Sequence, residues 1–216
     1  MISDWNLGAC QRNVTSQAGE DGVIAQIFRN IGVTNAFCVE FGAGDGVTLS
    51  NTYALRQAGW ASLLLDGDPR GASDVVKAWI TAENINELFR EHKVPEQIDL
   101  LSIDIDGNDL WVWQAIECRS RVTVVEFNAF HAPHQSLTIP YDPEHVWDGT
   151  NYHGASLLAL ERLALIKKQQ LVWQNGLNAF FVDYDLCPER LEVPREYRTG
   201  GRHESDLLRR PFVQWP

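Results

Sequence analysis

This chain is poor in positive charge. Against 29 aspartates and glutamates it carries 18 lysines and arginines, a formal net charge of -11. Wrapping a nucleic-acid backbone needs clustered cations, so the balance argues against nucleic acid as a partner and leaves small molecules open. Cysteine is scarce too. Cys10, Cys38, Cys118 and Cys187 are scattered, with no Cys-x-x-Cys pair, which argues against a zinc site and predicts reduced thiols in a cytoplasmic protein. No apolar run approaches the length of a membrane span. The start, Met1-Ile2-Ser3-Asp4-Trp5, has neither the basic nor the apolar region of a signal peptide. What remains is an ordinary globular composition, 44% hydrophobic and 22% charged over 216 residues, enough for one domain with a large core.

The most informative stretch is Ala36-Phe37-Cys38-Val39-Glu40-Phe41-Gly42-Ala43-Gly44-Asp45-Gly46. A short apolar run rich in strand formers stops at three glycines spaced two apart. That pattern reads as a buried parallel strand feeding a tight turn, where backbone can approach a ligand without a Cβ in the way. The dinucleotide fingerprint Gly-x-Gly-x-x-Gly fits poorly, because Val47 stands at its last glycine. Glu40, two residues before the first glycine, can reach past the turn. A glycine-rich turn that binds no cofactor is the plain alternative.

Downstream, apolar runs alternate with amphipathic ones. Ile24, Ile27, Phe28 and Ile31 predict a helix over 16–31 closed by Gly32. After the first strand, Ser50 caps a helix through Ala58. Further strands are expected at 61–66, 75–81, 98–104 and 122–126, with helices at 84–91, 109–117 and 156–168. A closing pair of strands, 171–173 and 179–182, flanks the turn signal Asn175-Gly176. Such alternation predicts an α/β fold, a mostly parallel sheet with helices on both faces, whose ligands bind beyond the carboxyl ends of the strands. Residues 127–155 form a long connection without periodicity, holding His131, His134, His145, His153, Tyr141, Trp147 and Tyr152. Loops of that length are commonly functional, so this one is the candidate substrate wall and source of a general base, with Trp147 nearest substrate.

The pieces in order are Ser16-Gln17 with Gly19-Glu20-Asp21, VEFGAGDG at 39–46, Ser50-Asn51-Thr52, Gly59-Trp60, LLLDGDP at 63–69, AENI at 82–85, SIDIDGND at 102–109, VVEFN at 124–128 and NAFFV at 178–182. In combination, over roughly residues 16–184, they resemble the FkbM-type S-adenosylmethionine (SAM)-dependent methyltransferases. The resemblance implies a single Rossmann-like class I methyltransferase domain over 1–187, with its core at 36–184 and strand order 3-2-1-4-5-7-6. It also implies SAM as cofactor and transfer of a methyl to a hydroxyl of a small molecule or sugar. Residues 188–216 are then an extension, a cap or a tail. An NAD-linked oxidoreductase and a non-catalytic SAM-binding module are the rivals.

Under that resemblance Gly42, Ala43 and Gly44 admit the methionine part, with help from Glu40 and Asn51. Many members carry Glu-Pro after strand two, where this chain reads Asp66-Gly67-Asp68-Pro69, so either Asp66 or Asp68 holds the ribose. Glu83 and Asn84 fall where the adenine edge is expected, although Asn84 suits a helix cap equally well. Asp104-x-Asp106 and Glu126-x-Asn128 end neighbouring strands, and residues two apart on a strand share a side. Four oxygen-bearing side chains can meet there, an arrangement suited to magnesium or calcium. Asp104 is the first candidate for catalysis, with His131 and His134 of the loop beside it. Helix capping by Asp106 and surface placement of the histidines are the alternatives.

Overall fold

The computed structural model describes residues 4–187, 190–195, 197–198 and 210–216. Its centre is a seven-stranded sheet of β1 (Phe37–Phe41), β2 (Ala61–Asp66), β3 (Val76–Lys77), β4 (Gln97–Ile103), β5 (Arg119–Glu126), β7 (Gln169–Gln174) and β8 (Asn178–Asp183). The order is β3-β2-β1-β4-β5-β8-β7. Pairing is parallel from β3 through β5, and antiparallel where the β7–β8 hairpin inserts β8 beside β5. Counting only strands of this sheet, the order is the expected 3-2-1-4-5-7-6. The shift in labels comes from a short pair that no periodicity announced: β6 (Leu137–Thr138), inside the long connection, pairs with β9 (Val213–Gln214) near the end of the chain.

Helices cover both faces. On one side α3 (Ile85–Glu91), α4 (Asp109–Ala115) and α5 (Leu157–Ile166) pack Ile85, Phe89, Leu110, Trp113, Leu160 and Leu163 onto Val39, Phe41, Leu101 and Ile103. On the other, α1 (Glu20–Ile31) and the 3-10 turn Leu7–Cys10 set Val23, Ile24, Ile27 and Leu7 against Cys38, Leu100, Val122 and Val124. Each fully buried aliphatic side chain contributes about 1.5–3 kcal/mol. The alternation sets up the site: along β1, Val39 and Phe41 face one cluster, so Glu40 turns with Cys38 to the α1 side.

Several predicted elements are shorter than expected. The first helix begins at Glu20, because Ser16 and Asp21 bond reciprocally and hold 16–19 in a turn. The N-cap of α2 is Thr52 and not the expected Ser50, which lies two residues earlier and accepts the amides of Thr52 and Tyr53; the helix covers only Tyr53–Gln57. The third strand shrinks to two residues, since Asn84 folds 79–84 into a turn. At the amino ends of the strands, the buried Asp99 of β4 accepts the amides of Thr34, Asn35 and Ala36 and pairs with Arg121 at 2.6 Å. Among the described residues no helix is long and apolar enough to cross a membrane.

Candidate functional site

The glycine turn leaves β1 with Gly42 at φ +67° and Gly44 at φ +54°. A Cβ on Gly42 would collide with the backbone carbonyl of Asp104, so this glycine is required by the close approach of β1 to β4. Around Gly44 the space is open; the nearest atom to a Cβ there would be the Arg70 guanidinium carbon, at 3.9 Å. The Gly44 amide donates to Asp66 at 2.7 Å, and the other Asp66 oxygen accepts the Asp68 amide at 2.6 Å. One carboxylate at the end of β2 thus fixes two turns. Asp68 is exposed, and among the described residues no group donates to its carboxylate.

Glu40 is spoken for inside the protein. It accepts Ser50 Oγ, Thr52 Oγ1 and the Asn51 amide, each at 2.6 Å. Burial raises its pKa, and these bonds oppose the rise. Its work is to hold the 50–52 segment over the turn, where Asn51 Nδ2 reaches Ser102 at 3.0 Å. Both Glu40 and Asn51 still line the cavity described below.

The acid cluster follows from strand register. β4 and β5 pair Leu100 with Val122 and Ser102 with Val124, so continuing by two residues sets Asp104 level with Glu126. Their parity matches Leu100 and Val124, which places both on the α1 side. Asp106 joins them from a loop in which it holds φ +55°. Oxygen atoms of Asp104, Asp106 and Glu126 all lie within 4.8 Å of one another. Burial, reinforced by the neighbouring acids, pushes Asp104 and Glu126 well above the usual carboxylate range, and burial also raises Asp106. Glu126 Oε2 is buried without a hydrogen-bond partner, 3.8 Å from His153 Nδ1. Burial takes His153 down to about 4, so its imidazole is neutral. Asp109 closes the acidic loop by accepting the amides of Ile105 and Gly107, and burial lifts it to about 6.

Two cavities adjoin beyond the carboxyl ends of the strands. The larger, about 760 Å³, runs from the glycine turn past the acid cluster to Phe130, Asn151 and Arg198. The smaller, about 380 Å³, lies between Gly67, Trp79, Ile80 and Ile105 and is roofed by 145–147. Gly42, Asp66, Asp68, Asp104, Asp106 and Trp147 line both. The long connection is pinned in place as the roof: Tyr141 bonds Glu83 and the Ala82 amide, Trp79 Nε1 reaches Pro143 O at 2.7 Å, and Asn108 Nδ2 reaches Asp142 O at 2.7 Å.

No family model matches this chain, and no curated protein does. Among solved structures it is similar to the 1,6-didemethyltoxoflavin-N1-methyltransferase of Burkholderia thailandensis with bound 1,6-didemethyltoxoflavin and S-adenosylhomocysteine. The identity is 11%, the match covers 74% of each chain, and the TM-score is 0.43. It is also similar to the CMeT domain of a citrinin polyketide synthase, with 10% identity over 76% of this chain and 50% of that one and a TM-score of 0.37. Likenesses this distant leave the function to the residues of this chain.

Gly42, Gly44, Asn51, Asp66, Asp68, Asp104, Asp106 and Glu126 meet around the larger cavity, as does Glu40. Ala43 is buried beside Leu64 and Val75, with its amide on Leu65 O. Glu83 and Asn84 line neither cavity: Glu83 is held by Tyr141, and Asn84 stands at the N-cap of α3, the alternative expected for it, with its side chain on the Thr81 amide and Trp79 O. Asn128 does not join the acids. Its amide nitrogen is spent on the carbonyls of Asn151 and His153 and its oxygen on the Phe130 amide. His131 is buried against Phe212, His134 is exposed, and neither lines a cavity. The histidines that do are His153 in the larger and His145 in the smaller. Nothing in the loop's spacing separates these two from the others. Of the extension expected over 188–216, residues 188–189, 196 and 199–209 lie outside the described residues. Its described parts return to the domain: Trp215 is buried against Trp111, and the Arg198 amide donates to Ala129 O at 2.7 Å.

Proposed function

We propose that this chain is a SAM-dependent methyltransferase, acting on a hydroxyl of a small molecule or sugar. The observation that carries this reading is the pinned glycine turn: Gly44, fixed by Asp66, opens on a two-lobed cavity at the topological switch point between β1 and β4. The smaller lobe, with Trp79, Ile80 and Ile105 as apolar walls, suits a flat base. The pair Asp66 and Asp68, shared by both lobes, suits a ribose diol between them. The larger lobe then takes the amino-acid part against the glycine turn and Asn51, and the acceptor against the acid cluster.

SAM supplies an electrophilic methyl group when bound. The chain's own residues orient the acceptor oxygen in line with that group and take its proton. Asp104, whose raised pKa makes it a stronger base than an ordinary carboxylate, is the group that takes this proton, whereas His153, held at about 4 by burial, is too weak a base for that role. A divalent cation is part of the proposal. Asp104, Asp106 and Glu126 are hard oxygen donors, and the unpartnered Glu126 Oε2 gives the set a free ligand atom. The cation would lower the pKa of a bound hydroxyl. A cytoplasmic setting also belongs to the reading, since Cys10, Cys38 and Cys118 are thiols.

The test is calorimetry with S-adenosylhomocysteine (SAH) and with NAD on the same protein. SAH binding without NAD binding is expected. NAD binding with no SAH binding would replace the reading with an oxidoreductase, and SAH binding without methyl transfer across a panel of hydroxyl acceptors would leave a binding module.

A further inference from the structure

We infer that the acceptor is an anionic hydroxy compound, whose carboxylate or phosphate is paired by Arg198 while its hydroxyl faces Asp104 and Glu126. This rests on the methyltransferase reading and names the substrate class of the same site.

Six carboxylates line the larger cavity, and the cations there are Arg70 and Arg198. Arg70 stands over Gly44, on the side assigned to the cofactor. Arg198 lines the same cavity, delivered by the bond from its own amide to Ala129 O just past β5. In an acidic chain an arginine near carboxylates is expected to pair with one. Among the described residues the Arg198 guanidinium makes no ion pair or hydrogen bond, although its charge is felt at Glu126 and His153. Arg198 is exposed and lines the same cavity as the acids.

A second donor in the same lobe is uncommitted. Asn151 is 6% exposed, and its Nδ2 is buried with no hydrogen-bond partner. A buried donor left unmade costs about 1–3 kcal/mol, a penalty that a ligand oxygen removes. Phe127, Phe130 and Leu177 line the same lobe as this pair of donors, so the body of the ligand meets apolar surface. A neutral sugar would leave the guanidinium with water alone. A carboxylate or phosphate matches it in charge and in two-pronged geometry.

The test uses the full chain saturated with SAH and three aromatic probes titrated by calorimetry: salicylate, phenyl phosphate and phenol. At least one anion should bind about tenfold or more tightly than phenol, as for one charge-assisted hydrogen-bonded pair. The stronger of the two anions identifies a carboxylate or a phosphate as the natural group. Arg198→Gln should erase the preference and Arg198→Lys should keep part of it. Asn151→Asp, which replaces the donor with a negative charge, should also weaken the anion and spare phenol. Equal binding of phenol and both anions, no binding of either anion, or an unchanged preference in Arg198→Gln would overturn the inference. Absence of SAH binding would instead sink the methyltransferase reading. The probe series run without SAH would then still decide the role of Arg198.

Discussion

The carbonyl oxygen of Asp104 occupies the space where a side chain on Gly42 would begin. The first glycine of the turn is therefore a packing requirement between β1 and β4, and the third-to-last residue of that motif, Gly44, faces the open cavity instead. The two positions should respond differently to alanine. Gly42→Ala must push the strand ends apart, costing roughly 2–4 kcal/mol and SAH binding with it. Gly44→Ala has room and pays mainly for its left-handed backbone, about 1 kcal/mol. Thermal unfolding of both variants checks this, and equal losses would contradict it.

Asp66 and Asp68 divide between scaffold and ligand. Removing Asp66 frees two amides as well as any ribose contact, so Asp66→Ala should weaken SAH binding by about 1.5–3 kcal/mol and lower stability. Asp68→Ala should leave stability unchanged, because nothing is built on its carboxylate. Calorimetry beside thermal unfolding separates them, and a destabilised Asp68→Ala protein would show the division to be wrong.

Residues 145–147 roof the smaller lobe, and of these Trp147 also lines the larger one. Replacing Tyr141–Trp147 with a short glycine-serine linker should therefore weaken SAH binding about tenfold or more, through loss of the apolar enclosure. Unchanged SAH affinity would mean that the base sits elsewhere.

If a cation is used at Asp104, Asp106 and Glu126, EDTA should silence methyl transfer and magnesium should restore it. Asp104→Asn should reduce the rate either way, since an amide is a weaker ligand and no base. A wild-type rate indifferent to EDTA removes the metal from the proposal and leaves Asp104 as a base or orienting group.

His131 makes an acid-lability prediction away from the site. Burial holds it at about 4, against about 6.5 in the unfolded chain. The unfolded state then binds the proton more readily. The resulting stability is present above pH 6.5 and is lost as pH falls toward 4, by up to about 3 kcal/mol. In His131→Phe, which keeps a ring against Phe212, denaturant midpoints should fall less between pH 6.5 and pH 4 than in the wild type. Parallel curves would assign the acid sensitivity to other groups.

How far the sequence could be read depends on where each partner lies. β1 and its glycines were legible because the signal is local: an apolar run and a backbone that only glycine tolerates. Asp104 and Glu126 were legible because strand parity and the pairing of neighbouring strands carry their convergence. Residue chemistry alone points Glu83, Asn84 and Asn128 toward a ligand, and each is engaged elsewhere by a group whose position comes from the tertiary fold or a local turn: Tyr141, Trp79 O, and the carbonyls of Asn151 and His153. The same holds for the histidines, since only folding of the 127–155 connection turns His153 inward and His134 outward. β6 and β9 are two residues each, too short for any period to register, and they pair across some 75 residues of chain.

The placement of β1 between β2 and β4 has a consequence for the nascent chain. As the polypeptide leaves the ribosome, β1, β2 and α2 appear early, yet the edge of β1 that will meet β4 stays open until residues 97–103 have emerged. The edge of β5 stays open longer still, until β8 arrives near residue 183. Until then apolar strands with unpaired backbone are exposed, and such edges invite association with other chains. Truncated products ending between β5 and β8 should accumulate as aggregates, while products that include the β7–β8 hairpin should not.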